Sequence, residues 1–226
     1  MNVRTCILLS ILPGCLCTSE AIAANDLNII GLAGVGFNAQ DLDKSRAYYS
    51  GVLGYHEAFD VRNSAGQIVT AYFKVNDDQY IEITPIQKET EDNRLVRVNF
   101  LVSDVRSAHD IVEQRGLNPS AIGKGPEGNQ SFHITDPNGA RLEFVQYMPG
   151  SLEASARGKF LDEQRISMHI YHVGIFVRDR EASTAFYRDK LGLDQGRFIP
   201  GDRGEFLELS SRGVDLETKD PPIPDS

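Results

Sequence analysis

Beyond residue 17 the sequence contains no cysteine; its three, Cys6, Cys15 and Cys17, all lie close to the N-terminus. The rest of the chain therefore has no disulfide, no thiolate metal ligand and no cysteine nucleophile. Positive charge is also short. Twenty-three Lys and Arg face 32 Asp and Glu, a net charge of −9, so nothing offsets phosphate repulsion and a nucleic-acid partner is excluded. No apolar run is long enough to cross a bilayer as a helix. What remains is ordinary for a globular protein: 226 residues, 41% hydrophobic and 24% charged, enough for one large domain or two small ones.

The N-terminus has the order of an export signal. Arg4 supplies a positive start, Cys6 to Cys17 an apolar stretch, and Ala21-Ile22-Ala23 a small-residue cleavage site before Ala24. Pro13 and Gly14 would break a buried helix here. Residues 1–23 are expected to be a signal peptide and the protein to be exported, periplasmic or extracellular. Leu12-Pro13-Gly14-Cys15 loosely resembles a lipidation box, but Pro13 fits it poorly, so a lipoprotein ranks second.

The most informative feature is an internal repeat. GVGFNAQDLDKSRAYYSGVLGY, from Gly34, aligns without a gap to HVGIFVRDREASTAFYRDKLGL, from His172. Val35, Gly36, Asp41, Ser45, Ala47, Tyr49, Leu53 and Gly54 recur as Val173, Gly174, Asp179, Ser183, Ala185, Tyr187, Leu191 and Gly192. Each copy opens with period-two alternation, which predicts a strand packed on one face. Asp41 and Asp179 then stand where an N-cap accepts free amides, and Gly54 and Gly192 where a helix ends. Tyr48, Tyr49 and Tyr187 fall on the helix face and read as core. A third copy, RVNFLVSDVRSAHDIVEQRGL from Arg97, lies between them, with Asp104 as cap and Gly116 as terminator. Strand candidates follow the helices, and Asp136-Pro137-Asn138-Gly139 joins two of them as a tight turn.

This order of strand, DLDKS cap, AYYSGVLGY helix end, DPNG turn and RLEFVQY strand resembles the vicinal oxygen chelate superfamily of glyoxalases, bleomycin-resistance proteins and extradiol dioxygenases. The resemblance implies an α+β fold of repeated βαβββ modules, two of them forming a cupped eight-stranded mixed sheet. The first domain would span 28–148 with two modules, joined through a linker at 149–167 to a third, unpaired module at 168–220.

In that family the metal ligands are the first residue of a module's opening strand and a glutamate on its closing strand. Carried over, the first cup offers Gly34, Glu82, Arg97 and Glu143. Glycine has no donor and a guanidinium has no lone pair to give, so a metal is not expected there. Two carboxylates in one cup repel unless a cation lies between them. Arg97 is expected to point between Glu82 and Glu143 as an ion-pair plug, in preference to an anion pocket lined by Arg97, Asn38 and Asn99. In the third module the resemblance puts His172 and Glu217 in the ligand positions. It implies a divalent metal in the second domain only, Fe(II) ahead of Zn, Mn or Ni. His133 reads as structural.

A degenerate first cup with a histidine opening the second domain resembles a catechol ring-cleaving dioxygenase. The alternatives are a glyoxalase-like lyase or isomerase, and a non-catalytic small-molecule binder of the bleomycin-resistance type. A module this short is marginal alone, so a fourth module or a second copy in a homodimer is expected to complete it.

Overall fold

The computed structural model describes residues 27–86, 95–193, 195–201 and 204–210; the last two ranges are strands given by their backbone. Residues 1–23, read as a signal peptide, and Glu217 lie outside the described residues. Among the described residues no helix is long and apolar enough to cross a membrane.

The repeat is realised three times over. Strand β1 (Ile29–Ala39) leads to α1 (Leu42–Tyr49), then β2 (Glu57–Arg62), β3 (Ile68–Lys74) and β4 (Tyr80–Pro85). The second module follows with β5 (Leu95–Val102), α2 (Val105–Gln114), β6 (Gly123–Lys124), β7 (Gln130–Thr135) and β8 (Arg141–Gln146). In each helix the capping aspartate does what its position suggested: Asp41 accepts from the Lys44 amide, Asp104 from Arg106 and Ser107, and Asp179 from Ala182. Gly54, Gly116 and Gly192 all take positive φ (74°, 72° and 68°), the left-handed turn that stops a helix and that a Cβ disfavours.

The first two modules share one eight-stranded mixed sheet in the order β2-β3-β4-β1-β5-β8-β7-β6. The antiparallel β1–β5 pair is its seam, flanked by parallel β1–β4 and β5–β8 pairs, which makes the two halves near equivalents. Both helices cover one face, where Phe73, Phe100, Phe132, Phe144, Val105 and Val112 form the buried core. One expectation fails on α1. Tyr48 is exposed, at 52%, because this short helix fully buries no residue; Leu42 and Tyr49 lean onto the core, Tyr49 against Phe73.

A short helix α3 (Leu152–Ser155) follows β8, and the supposed linker binds the first domain along its length. Lys74 Nζ reaches the Ala156 carbonyl at 2.5 Å, Arg157 pairs with Asp78 at 2.8 Å, and the Ile166 amide donates to Leu53 O at 3.0 Å.

The third module starts with β9 (His172–Val177) and α4 (Arg180–Thr184), which runs on into a π-helical turn over Ala185–Lys190. Strands β10 (Gln195–Gly201) and β11 (Gly204–Ser210) complete a separate three-stranded sheet, ordered β10-β11-β9. Val173, Ile175 and Val177 are buried while His172 and Gly174 are exposed, the alternation read from the sequence. The module docks through the DPNG turn. Tyr187 donates to Asp136 at 2.7 Å, Asn138 Nδ2 to Ser183 Oγ at 3.1 Å, and the Arg178 amide to Asn138 Oδ1 at 2.9 Å. Tyr187, Phe186, Leu191 and Leu193 merge into the same apolar core as the first domain.

Candidate functional site

The concave face of the large sheet encloses a cavity of about 220 Å³. Its polar wall comes from Glu82 on β4, Arg97 and Asn99 on β5, Ser131 on β7, Arg141 and Glu143 on β8, Glu127 and Asn129 on the loop before β7, and Glu153 on α3. Val61, Val69, Tyr72, Val145 and Tyr147 supply the apolar part.

The β1 positions are glycines for steric reasons. A Cβ on Gly34 would lie 2.1 Å from the Tyr80 carbonyl oxygen, so backbone fills the space where a first-position ligand would project. Gly36 stands opposite Arg97 in the β1–β5 ladder, and a Cβ there would meet Arg97 Cγ at 2.8 Å. The missing side chain is what lets the arginine stem lie across β1.

Arg97 is committed to one carboxylate. Its Nε donates to Glu82 Oε2 at 2.7 Å and its Nη2 contacts the same oxygen, while Asn99 Nδ2 donates to Oε1 at 2.6 Å. Burial pushes the Glu82 carboxyl up and the Arg97 guanidinium pulls it back; Glu143 adds a weaker upward push. Because every group bonded to Glu82 is a donor, the carboxylate is the charged partner of an ion pair. Arg97 does not bridge to Glu143. That carboxylate accepts from Ser131 Oγ at 2.7 Å and from Arg141 Nη2 at 3.3 Å, because Arg141, two residues along the same strand face, reaches it first. Asn38 sits opposite Thr84 near the end of β1 and is not among the residues lining the cavity.

Two further carboxylates were not singled out in the sequence. Glu153 is 4% exposed and accepts from Asn129 Nδ2 at 2.7 Å. Burial, and behind it Glu127 and Glu82, push its carboxyl up to about 7. Glu127 is half-buried and is likewise raised by burial, with Glu143 adding to the shift. Neither makes an ion pair among the described residues. Asn99, 5% exposed, leaves its Oδ1 without a hydrogen-bond partner. The only local trace of Glu153 was Ser151, which caps α3 by accepting from the Ala154 amide. His133 pairs with Glu143 across β7–β8, and burial together with Arg141 lowers its pKa.

In the third module His172 is exposed on β9, and the residue opposite it is Ser210 of β11. In the first module β4 separates β3 from β1; here β11 lies directly beside β9. Among the described residues no three His, Cys, Asp or Glu side chains are grouped to hold a metal ion.

The comparisons agree with this architecture. Residues 31–144, half of the chain, match the model of the Glyoxalase/Bleomycin resistance protein/Dioxygenase superfamily, and residues 169–200 match the bleomycin resistance protein-like N-terminal family. None of the curated proteins matches. Among solved structures, the Mn(II)-bound glyoxalase from Novosphingobium aromaticivorans is 20% identical with a TM-score of 0.57, over 77% of this chain and 56% of that one. The methylmalonyl-CoA epimerase from Mycobacterium tuberculosis is 20% identical with a TM-score of 0.48, over 54% of this chain and 91% of that one.

Proposed function

This chain belongs to the glyoxalase/bleomycin resistance protein/dioxygenase superfamily, and on that premise we propose that its first cup binds a small organic molecule without a metal, as a binding module of the bleomycin-resistance type. One observation carries the reading: of the four family ligand positions, Gly34 has no room for a side chain, Arg97 is itself a cation, and the pair's partner Glu82 has both oxygens engaged. A divalent ion placed there would have to displace a buried guanidinium and then find its donors in Glu82 and Glu143 alone, too few for a stable site. The donor set does not fit the metal that the family implies, so no chemical step is assigned to it.

A metal-dependent activity of dioxygenase, lyase or isomerase type, with Fe(II), Zn, Mn or Ni, belongs to a second reading centred on His172 and Glu217. What favours it is the place of His172 as first residue of β9, the position equivalent to Gly34 and Arg97. It needs a fourth module or a second copy of the chain to supply further ligands. Export with cleavage after Ala23 forms part of the same proposal, and the intact mass of the mature protein checks it.

Equilibrating the full chain with Mn(II), Zn(II) or Ni(II), desalting it and measuring bound metal tests the first cup. Uptake should be the same in wild type and Glu82→Gln. Stoichiometric metal that Glu82→Gln loses would overturn the proposal. Metal that only His172→Ala loses would assign it to the second domain and favour the enzyme reading.

A further inference from the structure

The sequence contains one Asn-Gly pair, Asn138-Gly139, and it lies in the DPNG turn on which the third module docks. Such a pair is especially prone to close on itself. Glycine has no Cβ to shield its amide nitrogen or to restrict its backbone, so that nitrogen can reach the side-chain carbonyl carbon of the residue before it. Gly139 takes a φ of 90°, is exposed to water, and has nothing within 4 Å of the place a Cβ would occupy.

In the docked protein every group that such a closure would use is held. Asn138 Nδ2, the group that would leave, donates to Ser183 Oγ at 3.1 Å and to Asp136 Oδ2 at 3.3 Å. Asn138 Oδ1 accepts from the Arg178 amide at 2.9 Å. The Gly139 amide, the nucleophile, donates to the Asp136 carbonyl oxygen at 3.1 Å. Ser183 and Arg178 both belong to the third module, and Ser183 is fully buried. The module therefore fixes the side-chain dihedrals that ring closure has to turn.

We propose that Asn138 is a site of spontaneous covalent modification, kept unreactive by the docked third module, and that its reaction releases that module irreversibly. When the module lifts, the Gly139 nitrogen gives up its proton to water or hydroxide and bonds to Asn138 Cγ. The Cγ–Nδ2 bond breaks and the side-chain nitrogen leaves as ammonia. Water then opens the succinimide ring at either carbonyl, giving aspartate or isoaspartate. The balance is one water in and one ammonia out, with no oxidant or reductant. Neither product restores the contact, because both lack the N–H groups that bonded Ser183 and Asp136. Both also set a carboxylate beside Asp136 Oδ2, which already accepts from Tyr187 at 2.7 Å, and like charges held that close repel. The isoaspartyl form lengthens the backbone as well, inside a turn that the Gly139–Asp136 bond closes.

Incubation of the full chain at pH 8, followed by peptide mapping with mass spectrometry over days, tests the proposal. Asn63, followed by Ser64 in the β2–β3 turn toward the opposite edge of the sheet, serves as an internal reference. Asn138 should convert about tenfold faster in Tyr187→Phe than in wild type, as loss of one buried charge-assisted bond raises the open population. Asn63 should keep its rate. Should Tyr187→Phe fail to fold, wild type in urea below its unfolding transition takes its place, with the same expectation. Asn138→Asp, which carries the aspartyl product from the start, should exchange the amides of β9 and α4 faster than wild type, with β1 and β5 unchanged. An Asn138 that converts no faster when docking is weakened, or only in step with Asn63, would overturn the protective role of the module. An Asn138→Asp protein whose β9 is as protected as in wild type would overturn the release.

Discussion

Gly36 and Arg97 face each other across the β1–β5 ladder, and the arginine stem occupies the space that a side chain at position 36 would fill, with Cγ 2.8 Å from where that Cβ would stand. The absence of one side chain thus determines where the cation that pairs with Glu82 can lie.

Removing that cation should therefore expose the cost of the buried carboxylate. Arg97→Ala leaves Glu82 with Asn99 alone, and should lower stability by about 2–4 kcal/mol at pH 7, somewhat below a fully buried pair because Arg97 keeps some solvent contact. Gly36→Val should act in the same direction by pushing the stem aside. Urea unfolding checks both, and an Arg97→Ala protein as stable as wild type would show that the pair contributes nothing.

Glu153 makes stability depend on pH in the opposite sense to an ordinary salt-bridged carboxylate. Its folded pKa, about 7, lies above the ordinary value of 4.5, so between these values the native state holds a proton that the unfolded chain has released. Its contribution is fully present below pH 4.5 and is lost as pH rises through about 7. Raising the pH from 5 to 8 should cost on the order of 1–3 kcal/mol from this group. Asn129, Glu127, Glu82, Tyr80 and Tyr147 are among the polar groups near it; Arg97, Arg141 and Arg157 line the same cavities, but none forms an ion pair with it among the described residues. Glu153→Gln should flatten that part of the profile, and thermal melts of both proteins across this range decide it.

The hold of the DPNG turn on the third module is equally open to test. Asp136 accepts from Tyr187 at 2.7 Å while its other oxygen accepts from the Asn138 and Ala140 amides at 2.9 and 2.6 Å. Tyr187→Phe deletes one buried charge-assisted bond without a cavity, and should cost about 1.5–3 kcal/mol. Hydrogen exchange should report the loss in β9 and the π-helical turn more than in β1 or β5. Uniform loosening of the whole chain would mean that the third module is not held by this contact.

Local signals made much of the fold legible. Period-two apolar alternation, an aspartate cap and a left-handed glycine each act within one or two turns of chain, so the sequence by itself determined the strands, helix ends and order of modules. It also determined that Gly34 and Arg97 break the ligand pattern, since that is a matter of which atoms a residue type possesses. Only the tertiary structure decided who pairs with whom. Arg97 pairs with Glu82 and not with Glu143, and that choice depends on where its stem lies across β1, whereas Arg141 and Glu143 are neighbours two residues apart along one strand. Glu153 entered the cup because the segment after β8 folds back onto the sheet, and Tyr187 found Asp136 because two modules dock. Such contacts join residues far apart along the chain, and their geometry exists only once the core between them has packed.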